Sequence, residues 1–106
     1  MDKSRFVEAL RRDIQLSDKD RRRIINASVR SRPWKLTCTM QMEELAELTQ
    51  QISKHIRGFN DKAGLLEEMA DVCLGIEYLK SIFDISAEEL QKAMDVKLER
   101  ERNRCK

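Results

Sequence analysis

Along most of this 106-residue chain apolar residues recur three and four positions apart, the spacing of helices that each bury one face. Residues 4 to about 15 place Phe6, Val7, Leu10 and Ile14 on one side of a short helix. Ser17, with Asp20 three positions on, is a helix N-cap and opens a segment carrying Ile24, Ile25 and Val29. Pro33 ends that segment, because the residue before a proline is pushed out of the helical region. A long helix is expected from about 34–36 to 57, closed by Gly58, and a second from about 62 to 83. Ser86 and Glu89 form a capping box for a last helix reaching about 104. No strand pattern and no low-complexity segment interrupts the series. The pattern predicts an all-α helical bundle, with a basic helical segment over 1–33 and a core over 34–106.

The two long helices carry the candidate chemistry. Glu43-Glu44-Leu45-Ala46-Glu47 and Glu67-Glu68-Met69-Ala70-Asp71 share one pattern, acid-acid-apolar-alanine-acid. Glu44 with Glu47, and Glu68 with Asp71, lie three residues apart and so on one face of a helical turn. At about 100° per residue, both pairs fall at the same edge of the apolar stripe. That stripe is Leu45, Leu48, Ile52 and Ile56 on the first helix and Leu65, Met69, Val72, Ile76 and Phe83 on the second. Antiparallel packing along the stripes would bring both pairs to one rim of the core. Glu43 and Glu67 point further toward solvent and are read as outlying charges. Four clustered carboxylates repel unless cations sit among them, and an oxygen-only set suits Mg2+, with Mn2+ a substitute. A solvated face is the ordinary alternative for any one such pair.

Composition narrows the class. The net charge of +2 hides a basic N-terminal third and an acidic remainder. Arginine runs such as Arg21-Arg22-Arg23 could touch phosphates, but no aromatic residues are interleaved to stack bases, which argues against nucleic acid as a partner. Cys38, Cys73 and Cys105 fit neither a zinc pattern nor a disulfide framework. No stretch resembles a membrane span or a signal peptide, so a cytoplasmic location is expected. On the last helix Lys97, Arg100 and Arg104 form one cationic row. Such rows commonly complement the helix dipole; beside a metal-loaded carboxylate cluster the same row would hold a polyphosphate. Trp34 is a candidate for stacking a base, or a packing anchor. Gln51 and His55, on the carboxylate edge of the first long helix, are candidates for touching base or ribose, or simply a polar helix edge.

Together these residues resemble the MazG-like, all-alpha nucleoside triphosphate pyrophosphohydrolase superfamily. That signature is E-x-x-E, a spacer, then E-x-x-D, matched by Glu44-x-x-Glu47, 20 intervening residues and Glu68-x-x-Asp71. A late Lys-x-x-Arg is matched by Lys97-Leu98-Glu99-Arg100. The resemblance covers about residues 34–104. It implies a bundle completed by oligomerisation into a homodimer or homotetramer. It also implies hydrolysis of a nucleoside triphosphate between the alpha and beta phosphates, to monophosphate and pyrophosphate. Glu44, Glu47, Glu68 and Asp71 would then hold Mg2+ and one of them would orient or deprotonate the attacking water. Lys97 and Arg100 would steady the leaving pyrophosphate. Asp95 stands where some relatives carry asparagine, and the lysine pair expected of a phosphoribosyl-ATP pyrophosphohydrolase is missing before the first acidic motif. The rival from another class is a non-enzymatic helical interaction or nucleic-acid-binding module.

Overall fold

The computed structural model describes residues 3–105, and among them it contains five helices and no strand. They are α1 (Lys3–Arg11), α2 (Asp18–Arg30), α3 (Trp34–Ile56), α4 (Lys62–Ile82) and α5 (Ala87–Arg104). Among the described residues no helix is long and apolar enough to cross a membrane. The punctuation follows local chemistry. The Ser17 hydroxyl accepts from Asp20 N at 3.0 Å to start α2. Ser86 and Glu89 make both bonds of the capping box at 3.0 Å to start α5. Gly58, at φ 95°, lets the end of α3 close through Phe59 N donating to Lys54 O at 3.0 Å. Helix α1 stops sooner than the apolar pattern predicts. Asp13 is left-handed at φ 53°, a conformation aspartate tolerates, and Ile14 beyond it is 60% exposed.

Helices α3 and α4 form the main packed pair, running antiparallel through a five-residue connection. Helix α4 is apolar on more than one side, with Leu65, Leu66, Met69, Val72, Leu74, Ile76 and Leu79 distributed around it. It is accordingly the helix against which α1, α2 and α3 all pack. Helix α5 joins none of these packed pairs and buries no residue.

The seam between α3 and α4 is the reverse of a conventional core. Its buried side chains are Thr37, Gln41, Gln51 and Glu68, and among the described residues no apolar side chain is buried. The two helices pack only partly along the expected apolar stripes, with Leu48, Leu65 and Val72 half-buried. Their contact is rotated so that Gln41, Glu44 and Gln51 of α3 meet Gly64, Glu68, Asp71 and Gly75 of α4, while Leu45, Ile52, Met69 and Ile76 stay outside. The physical reason lies in side-chain size. Gly64 and Gly75 are both on the carboxylate face of α4 and allow close approach there, whereas the bulky stripe would hold the axes apart. The result is an open molecule. Its radius of gyration is 16.3 Å, where a compact chain of this length has about 13 Å. Its accessible surface is 8791 Å2, where a compact monomer of this mass has about 6,200 Å2.

Candidate metal centre

Glu44, Glu68 and Asp71 converge in the α3–α4 seam, each offering a carboxylate oxygen within 4.8 Å of the others. Glu44 comes from the middle of α3; Glu68 and Asp71 are adjacent-turn neighbours on α4. Glu47 is exposed at the edge of this group, close enough to Glu68 for its charge to bear on that carboxyl. Three of the four expected carboxylates are thus brought together, and the fourth borders them. Glu43 is exposed and Glu67 half-buried beside Glu68.

The electrostatics register the crowding. Burial, then the charges of Asp71 and Glu47, raise the Glu44 carboxyl from 4.5 to about 7. Burial, then the charge of Glu47, raise Glu68 from 4.5 to about 7. Asp71 is also raised by burial, against the lowering effect of its hydrogen bond with Glu44. A hydrogen bond between two of these carboxyls, such as Glu44 with Asp71 or Glu68 with Glu47, needs a proton on one of them. Glu44 Oε2 and Glu68 Oε2 are buried with no hydrogen-bond partner. Buried polar atoms are rarely left this way. Near neutral pH the cluster therefore holds either protons or a cation. Its all-oxygen donors and its negative charge fit a hard divalent ion.

The row that holds Glu44 extends along α3 and is polar except at Leu48. Thr37, Gln41, Glu44, Leu48, Gln51 and His55 follow one another at alternating intervals of four and three along α3. Thr37 Oγ1, Gln41 Oε1 and Gln51 Oε1 are also buried and unpartnered. Gln41, Gly64 and Gly75 were not among the residues singled out from the sequence. Continuing the carboxylate row one turn in each direction would have found them.

The remaining candidates have other surroundings. Gln51 Nε2 reaches Asp61 Oδ2 at 3.4 Å, and His55 Nε2 lies 3.0 Å from Asp61 O. Asp61 in turn caps α4 by accepting from Gly64 N at 3.0 Å. Both residues thus help close the α3–α4 connection. Trp34 packs edge-on against Phe83 with centroids 6.0 Å apart, and the Lys35 ammonium lies 5.6 Å from its ring centroid. It stands ten residues before Glu44, about 15 Å along the helix. Lys97, Arg100 and Arg104 are exposed on α5, with Arg104 paired to Glu101 at 3.3 Å. Within one chain the cationic row and the carboxylates belong to separate parts of the molecule. Compared with models of known protein families, with curated proteins and with solved structures, the chain matches none.

Proposed function

We propose that the protein is a divalent-cation-dependent nucleoside triphosphate pyrophosphohydrolase of the MazG-like kind, acting as a homodimer or homotetramer. The observation that carries the metal-binding half is the convergence of Glu44, Glu68 and Asp71 with two buried, unpartnered carboxylate oxygens. The substrate half rests on the sequence resemblance, on Glu44-x-x-Glu47, Glu68-x-x-Asp71 and Lys97-x-x-Arg100. Glu44, Glu68 and Asp71 would hold Mg2+ or Mn2+. When bound, such an ion polarises phosphate oxygens and makes a coordinated water more acidic. Glu47, exposed beside the cluster, would orient the attacking water and accept its proton. Lys97 and Arg100 would bind the pyrophosphate half, with Lys97 laying its stem along Met94 and Leu98.

That last role needs α5 and the carboxylates to meet, which favours a site shared between copies. The uncovered surface supports such assembly. Each chain exposes about 2,600 Å2 more than a compact monomer would. Burying even half of that on each of two copies gives an interface of obligate size. The same apolar surface would also serve a non-enzymatic interaction module. The discriminating experiment measures pyrophosphate release from a panel of canonical, deoxy and modified triphosphates, with and without Mg2+. Release that requires Mg2+ and disappears in Glu68→Gln supports the hydrolase. No release from any triphosphate, with Mn2+ still binding, leaves only a cation-stabilised interaction module.

A further inference from the structure

Two glycines face two glutamines across the α3–α4 seam, one pair on each side of the carboxylates. Gly75 lies against Gln41 and Gly64 against Gln51. Only Gly58 among the glycines has a positive φ, so the backbone at positions 64 and 75 makes no demand for glycine. Within a helix glycine is a poor choice on propensity alone. The demand comes from the neighbours. A Cβ at Gly75 would collide with Gln41 Oε1 and lie 2.7 Å from its Cδ. A Cβ at Gly64 would collide with the Asp61 carboxylate and lie 2.8 Å from Gln51 Nε2. Neither glutamine has ready freedom to retreat, since both are 7% exposed. Gln41 precedes Glu44 by three residues, and Gly75 follows Asp71 by four. The interlock therefore sits one turn from Glu44 and Asp71, close enough for the fit of Gln41 on Gly75 to bear on the spacing of the acids.

We infer that Gly75 with Gln41, and Gly64 with Gln51 at the other end, are positioning residues. They set the α3–α4 spacing and hence the separation at which Glu44, Glu68 and Asp71 hold a divalent cation. This inference rests on the metal-binding reading above. The test is calorimetric titration of the full chain with Mn2+, alongside helix content by circular dichroism.

Gly75→Ala should weaken Mn2+ binding by about tenfold or more while helix content is kept, since alanine is the better helix former. Adding Gln41→Ala removes the colliding side chain and should recover most of the loss, a coupling that two independent sites would not show. Wild-type affinity in Gly75→Ala, or a double variant no better than Gly75→Ala, overturns the interlock. Should Gly75→Ala fail to fold, the double variant decides. Folding with recovered Mn2+ binding supports the interlock, and absence of either overturns it. Glu68→Gln keeps the two ideas apart. A wild type that binds no Mn2+, or a Glu68→Gln variant that binds it fully, sinks the metal reading and the positioning role with it. Loss in Glu68→Gln beside an indifferent Gly75→Ala sinks the positioning role alone.

Discussion

Inside the α3–α4 pair the chain buries Thr37, Gln41, Gln51 and Glu68; outside the same two helices Leu45, Ile52, Met69 and Ile76 stand 42–50% exposed. In a self-sufficient bundle the two sets would change places. The inner face is short of hydrogen-bond donors, because oxygens are massed there with few partners. The outer face is short of cover, because each Leu, Ile or Met fully removed from water stabilises by about 1.5–3 kcal/mol. A cation or protons would answer the first shortage, and a second protein surface would answer the other. The two needs are chemically independent, so each can be broken without touching the other.

The largest effect is expected inside. Glu68→Gln or Asp71→Asn should lower metal-dependent pyrophosphate release by about a hundredfold or more, the scale of losing several kcal/mol of charge stabilisation. Sedimentation should show the assembly unchanged. Full activity in either variant removes the assigned site. Outside, Ile76→Glu should dissociate the assembly into monomers by light scattering at micromolar concentration, while Mn2+ binding to the hairpin persists. A wild-type chain that is already monomeric there defeats the account of the exposed face.

Acidity separates the faces a third way. Glu44 and Glu68 titrate at about 7 in the folded chain and at 4.5 when unperturbed, so between those values the folded state keeps protons that the unfolded state has released. Stability of the metal-free protein is then fullest below about pH 4.5 and falls as pH rises through about 7. Asp71, also raised, adds in the same direction. Melting temperature without metal should decline between about pH 5 and about pH 8, and Glu68→Gln should flatten the decline. Stabilisation by Mn2+ should grow over the same range, because the ion displaces protons from its ligands. A melting temperature independent of pH would show that the acids are solvated.

The smallest effect concerns α5. Lys97→Ala should raise KM for triphosphate by about tenfold, while Arg104→Ala, already paired with Glu101, should change it little. Equal and negligible effects would reduce the cationic row to a dipole-compensating helix end.

Much of this was legible in the sequence, for identifiable reasons. Ser17, Gly58 and Ser86 fixed helix ends through backbone bonds that depend only on nearby residues. The pairing of Glu44 with Glu68 and Asp71 followed from spacing on two helices joined by a short connection. The end of α1 was less accessible, because the apolar run continues to Ile14 while Asp13 turns left-handed. The rotation of the seam was hidden by a rule that usually holds, that apolar stripes pack first. Here Gly64 and Gly75 open a closer contact on the polar face, so that Leu48, Leu65 and Val72 are only half-buried and the rest of the stripes stays exposed. Glycine looked like an incidental weakness in α4 until its opposing glutamines were in view.

The five-residue connection between α3 and α4 has a consequence for the order of events during synthesis. Glu44, Glu68 and Asp71 come from one contiguous hairpin, so their contacts are local and form quickly once α4 has emerged. At that moment α5, with Lys97 and Arg100, has yet to follow α4 out. The nascent hairpin must meet its crowded carboxylates with protons or ions from the surrounding solution. A divalent cation arriving then would be a folding ligand before any second copy, or any substrate, had come within reach.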